Sequence, residues 1–400
     1  MRRAALASSG GAPWLAAVTL LMLAGCSGGQ KASKSMEIPV ASPAPTTTFT
    51  TRASVYPLGL IPFDLATTPV HAPDGSAIAT LAGLPQPAAL RLAIGQQQMP
   101  SGARVDVLRP IATDVSGSPG RASLQLVFSL PQPMLLGRSA DEHGFIVEEP
   151  RSDGTRRIGL ASWTDGTVTW LVDDDRVNAH AALGPGGRLT WCRRAPLSDR
   201  FEIVMREGER EWIIGDERGS WLVPQWSATG EGVFALRLDD LGGLEAVYLH
   251  GGDEKSMKAA TRLIRLSNAI DAASAIRVMA AQPVVLGVPS PREPMLVFQH
   301  PEFEGVGVWR PFRSDGSATR LLEYGSSAAA IDADGVVMYA AADGVKLQRL
   351  DDPAKQWTKL MSDVSLPVLT NSTAWRYLLY TPRRGGGSEL AVVGYTPLEE

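Results

Sequence analysis

Cysteine is nearly absent: Cys26 and Cys192 are the only two in 400 residues. Two thiols cannot build a disulfide framework. Histidine is scarce as well. His71, His143, His180, His250 and His300 lie far apart, with no His-x-x-x-His and no Cys-x-x-Cys, so no metal site is written locally. Within residues 53–400 neither a Gly-x-Ser-x-Gly elbow nor a Gly-x-x-x-x-Gly-Lys-Ser/Thr loop occurs. Basic excess is missing too. The net charge of −4 argues against a nucleic-acid partner, which requires a basic face. The N-terminal apolar run, Trp14 to Leu23, is 10 residues long, whereas a bilayer span needs roughly 20.

What precedes and follows that run is informative. Arg2 and Arg3 come before it, and Leu23-Ala24-Gly25-Cys26 ends it. A basic start, an apolar middle and small residues at a cut are the order of a secretory signal. The tetrad resembles the lipobox of bacterial lipoproteins. That resemblance implies a signal peptide over residues 1–25 and a lipidated Cys26 at the start of the mature chain. It also implies a membrane partner through a lipid anchor, since several acyl chains together hold firmly. A plain cleaved signal with an incidental Cys26 remains open. In that family an Asp after the cysteine favours retention at the inner membrane. Ser27 therefore implies the outer membrane, facing the periplasm, in a diderm host. Loss of residues 1–25 removes Arg2 and Arg3 and no acid, so the charge falls from −4 to −6.

Residues 26–52 read as a flexible tether. Ser27-Gly28-Gly29-Gln30-Lys31 is small and polar, and Pro39, Pro43 and Pro45 precede Thr46-Thr47-Thr48. Such composition buries too little to fold. The folded domain is expected over residues 53–400.

That length calls for two domains or a repeat. A turn rich in Asp, Gly, Ser or Thr recurs before an apolar strand. It appears as Ala72-Pro73-Asp74-Gly75, Gly184-Pro185-Gly186-Gly187, Ser227-Ala228-Thr229-Gly230, Asp332-Ala333-Asp334-Gly335 and Asn371-Ser372-Thr373. These are hairpin turns, where glycine supplies positive φ. Gly187 to Gly230 is 43 residues, Gly335 to Thr373 is 38, and Gly230 to Gly335 is 105, or two units with an insertion. A period near 40–45 residues with about four strands per unit defines an all-β fold, the β-propeller.

Pro224-Gln225-Trp226-Ser227-Ala228-Thr229-Gly230-Glu231-Gly232-Val233-Phe234-Ala235 resembles the repeat of TolB-like propellers, as does Ala72-Pro73-Asp74-Gly75-Ser76-Ala77-Ile78-Ala79. The family repeat is a Trp-Ser-Pro-Asp-Gly turn before an apolar strand. Ala228-Thr229 replaces Pro-Asp here, and Val70-His71 lacks the tryptophan. The resemblance implies a binding or assembly platform, or an accessory domain of an enzyme.

The expected blade strands are Ile78–Leu81, Leu124–Phe128, Leu189–Cys192, Val233–Leu238, Pro294–Phe298, Val336–Tyr339 and Tyr377–Tyr380. This makes seven four-stranded blades, with six and eight as open counts because residues 130–185 are hard to register. Val55 to Leu60 is expected to complete the last blade and hide its edge. Residues 255–279 suggest a strand at Arg262–Leu266 plus a short helical insertion, and Cys192 reads as a buried small hydrophobe.

Acidic pairs are the best polar candidates: Asp173-Asp174, Asp239-Asp240 and Asp351-Asp352, the last two sharing Arg-Leu-Asp-Asp. Clustered at a channel, such carboxylates could bind a ligand or act as an acid and a base. As turn residues they would cap loop backbone instead. Gly385-Gly386-Gly387 precedes a strand pattern, so it reads as a hairpin loop. No catalytic residue, metal or other cofactor is expected. The function expected is a non-catalytic envelope platform for a protein or a cell-wall glycan. The alternative is a carbohydrate-active or other hydrolytic enzyme using those carboxylates.

Overall fold

A computed structural model describes residues 134–227 without a break. Outside that stretch it describes the strands between 52 and 396 with short flanking pieces. Cys26 and the residues before Arg52 lie outside the described residues, as do Asp351 and Asp352.

The described residues hold 28 strands, and the only helical element among them is the 3-10 turn Pro185–Gly187. The strands pair into antiparallel meanders of four. The first is Val70–His71, Ile78–Ala82, Arg104–Ala112 and Ala122–Ser129. The second is Leu135–Ala140, Gly144–Pro150, Arg156–Ser162 and Val168–Val172; the third is Val177–Leu183, Leu189–Arg194, Glu202–Glu207 and Arg210–Ile213. These two join into one eight-stranded sheet through a single parallel bridge between Val177 and Arg156. The fourth runs Ser220–Trp226, Gly232–Leu238, Leu244–His250 and Ala260–Ser267. The fifth is Val284–Val285, Leu296–His300, Gly305–Trp309 and Thr319–Tyr324; the sixth is Ser327–Ile331, Val336–Ala341, Gly344–Arg349 and Gln356–Trp357. Leu366–Leu369, Tyr377–Pro382 and Ser388–Thr396 form the last sheet, completed by the N-terminal strand Arg52–Ile61. First strands of successive meanders meet from the first to the fifth and again between the sixth and the last, while the fifth reaches the sixth through its second strand, and this arrangement is a β-propeller.

All five segments read as turns fall in sequence between the first and second strands of a meander, with residues 74–75, 228–229, 332–335 and 371–373 outside the described residues. Gly186 and Gly187 sit at φ 71° and 76°, which the tight turn after Leu183 requires. Gly184 has a second reason to be glycine: a Cβ there would meet the Trp226 ring at 2.3 Å. The fourth meander therefore packs hard against the third at this point.

Six of the expected marker strands are second strands. Leu124–Phe128 is a correction: it lies in the fourth strand of the first meander, not in a blade of its own. The unit missed is the second meander, within the region that resisted registering. Its second strand, Phe145-Ile146-Val147-Glu148-Glu149, has only three apolar residues before charge interrupts them. Arg262–Leu266 falls in the strand Ala260–Ser267, and the helical insertion expected after it lies outside the described residues. Gly385-Gly386-Gly387 also lies outside them, between two antiparallel strands that pair Pro382 with Ser388.

The core lies between meanders. Cys192, Ile203, Met205, Trp221 and Trp226 pack with Val233, Ala235 and Val247, so the third and fourth share one cluster. Trp191, Trp221, Tyr248 and Phe234 are each almost fully buried. Each large side chain so buried contributes roughly 1.5–3 kcal/mol. Trp226 also donates Nε1–H to the Ala182 carbonyl at 3.3 Å, fixing the third meander's first strand to the fourth's.

Candidate functional site

Two residues other than glycine have positive φ among the described residues: His180 at 58° and Val223 at 50°. Both sit at register shifts in first strands, His180 in the third meander and Val223 in the fourth. A β-branched residue rarely adopts this conformation. Such strain persists only where the surroundings enforce it.

Each bulge offers its amide to the second strand of the preceding meander. The His180 N–H donates to Glu148 Oε1 at 2.6 Å. The other oxygen, Oε2, accepts from Arg156 Nη1 at 2.9 Å. Arg156 and Glu148 side chains are 5% and 7% exposed, so this is a buried ion pair. The Val223 amide instead lies by the Cys192 sulfur, where it slightly opposes the rise of the thiol's pKa. Burial, then the nearby Glu148 charge, pushes the Cys192 thiol well up, so it stays protonated.

Asn178 ties this centre to the loop above. Its Nδ2 donates to the Arg156 carbonyl at 3.1 Å and to Asp174 Oδ1 at 2.6 Å. Its Oδ1 accepts from Trp191 Nε1 at 3.0 Å. The half-buried mouth is formed by His180, Arg194 and Phe201. The His180 and Phe201 rings are 6.4 Å apart, and the Arg194 guanidinium lies 5.2 Å from the Phe201 centroid.

The acids named from the sequence fall around this centre with different duties. Asp174 reaches it through Asn178 and also accepts from the Arg176 amide at 3.0 Å. Asp173 turns outward to Arg151 and Arg157. The Arg151 hydrogen bond, helped by Arg157, holds its carboxyl below the usual range despite slight burial. Asp239 closes its own turn, accepting from Leu241 and Gly243 amides at 2.9 and 2.6 Å, and pairs with Arg265. Burial would raise its pKa, but the Gly243 amide and Arg265 outweigh that and leave it lowered. Asp240 pairs with Arg200 at 2.6 Å. No hydrogen bond or ion pair links the 173–174 pair to the 239–240 pair. Arg-Leu-Asp-Asp at 237–240 follows a second strand, whereas its copy at 349–352 follows a third strand. In an antiparallel meander those connections leave from opposite ends.

Glu148, Arg156 and His180 were missed as site residues. The available signal was a carboxylate inside an apolar strand, since buried charge is rare unless paired. Among the described residues no group of three or more His, Cys, Asp or Glu is placed to hold a metal ion.

On the same end of the fold, Leu197 and Leu241 stand fully and 84% exposed. They lie in second-to-third-strand loops of adjacent meanders. Arg200 bridges those loops, bonding Asp240 and, at 2.9 Å, the Glu217 carbonyl.

The class is thus a β-propeller with a polar inner mouth and apolar loop tips. No family model matches the chain, and no curated protein matches it. Solved structures do. TolB of Acinetobacter baumannii shares 13% identity over 63% of this chain and 64% of its own, with a TM-score of 0.37. A gluconolactonase of Xanthomonas campestris shares 13% over 89% of this chain and 99% of its own, with a TM-score of 0.38. A puromycin-hydrolyzing peptidase of Mycobacterium tuberculosis shares 12% over 87% of this chain, at a TM-score of 0.48. The matched region is 58% of that peptidase's length. Likenesses this distant assign no activity.

Proposed function

We propose that the chain is an envelope lipoprotein, anchored through Cys26, whose propeller is a non-catalytic platform for an envelope protein. The observation that carries this reading is the pair Leu197 and Leu241 on clasped neighbouring loops. Leucines at loop tips cost solubility, and apolar patches rimmed by polar groups are a feature of docking surfaces. A cell-wall glycan is the other ligand this platform would take. The hydrolytic alternative needs carboxylates converging on a pocket. Asp173, Asp174, Asp239 and Asp240 instead hold turns and arginines.

The test is crosslinking and mass spectrometry on the tethered protein in envelope extract. A protein partner should crosslink near residues 195–200 and 239–243, and Leu197→Asp with Leu241→Asp should abolish its recovery. Recovery unchanged by that double variant would overturn the loop assignment. Cys26→Ala should move the protein out of the membrane fraction, and its continued retention there would sink the anchor.

A further inference from the structure

The inner mouth carries more positive charge than its partners answer. Val177 pairs with Arg156 on one side and with Arg194 on the other. Residues paired across strands project to the same face, so the two arginines flank one buried valine. Glu148 is the only carboxylate bonded to either. It is already committed to Arg156 Nη1 and the His180 amide. Arg156 Nε is sequestered and has no hydrogen-bond partner. Arg194 spends Nη1 on the carbonyls of Ala195, Pro196 and Ser198, and its remaining nitrogens bond no described residue.

An unanswered donor in the interior is costly, and more so when it is charged. Burial, and then the Arg156 charge, hold the Arg194 guanidinium below its ordinary pKa, with Asp199 offsetting part of this. Arg194 and Phe201 are only half-buried, so Arg194 keeps contact with solvent. A planar guanidinium with free edges matches a carboxylate or a phosphate.

From this geometry we infer that the mouth between the second and third meanders binds a compact oxyanion, a carboxylate or a phosphate, on Arg194 with Arg156 behind it. Arg194 also holds the loop that carries Leu197, through the carbonyls of Ala195, Pro196 and Ser198, but the anion site needs neither Leu197 nor Leu241. A platform that failed to capture protein would leave it standing.

The experiment is thermal unfolding and titration calorimetry of the whole chain with inorganic phosphate, then with acetate and succinate. Sodium chloride at matched ionic strength is the control. Saturable stabilisation by at least one anion is expected, and which arm responds separates phosphate from carboxylate. Arg194→Gln should weaken binding at least tenfold, and Arg194→Lys should weaken it less. Arg218→Gln, at a guanidinium 78% exposed and paired with Asp216, should leave it unchanged. If Arg194→Gln unfolds the protein, Arg194→Lys at an unchanged melting temperature decides by the same titration. Stabilisation no greater than that of chloride, or binding undiminished in the arginine variants, would overturn the site.

Discussion

The bulges at His180 and Val223 are the same device answered by different chemistry. Both are strained residues in first strands, and both hand an amide to the preceding meander. One amide meets a carboxylate that is itself held by a buried arginine; the other meets a neutral thiol. Backbone shape is therefore what the repeat keeps, while the partner varies. Repeat-related contacts elsewhere agree. The Leu183 amide bonds Ser139, and Trp226 bonds the Ala182 carbonyl, each across a separation of 44 residues.

The difference is broken most severely by removing the charge. Glu148→Leu should cost about 3–5 kcal/mol in urea unfolding, because it strands Arg156 and the His180 amide in the interior. Glu148→Gln keeps an acceptor for that amide and should cost visibly less. Acid extends the comparison to the first meander, where His71 lies in the first strand. Both of its ring nitrogens are sequestered without a partner, and burial lowers its pKa from 6.5 to about 3. A depressed pKa means that the unfolded chain takes up the proton first. Stability should be intact above pH 6.5 and should fall as pH drops toward 3. The part lost by pH 4.5 is about 2–3 kcal/mol, and His71→Leu should lack that slope.

Cys192→Ala removes only a neutral acceptor and a small apolar volume, so about 1–2 kcal/mol is expected by the same unfolding assay. A cost equal to that of Glu148→Leu would show that charge is not what separates the bulges. The smallest effect should come from His180→Gly, a gain below about 1 kcal/mol from relief of positive φ. Val223→Gly relieves the same strain but empties a buried site, so it should be a net loss.

Sequence rhythm revealed the turns and the second strands because they obey local rules. Glycine at 186 and 187 and the apolar run Val233 to Leu238 announce themselves without tertiary context. The second meander did not, because Glu148 and Glu149 break its strand's apolar pattern. The carboxylate that holds the His180 amide is thus the one that hid its strand. Asp173 and Asp239 were visible as acids, but their partners Arg151 and Arg265 lie 22 and 26 residues away. Nothing local pairs them. Asp174's link to Trp191 through Asn178 was equally invisible, since it exists only once the third meander's first two strands lie side by side.

The strand Arg52–Ile61 pairs with Ser388–Thr396, setting Arg52 against Thr396 across almost the whole chain. That ladder cannot form until residues 388–396 have been made. Synthesis delivers the N-terminal strand first, and contacts so remote in sequence form slowly. During the wait both its edges are open to strangers. The same pairing that completes the last sheet thus sets a clock on folding, in which the first of the described strands waits for the last.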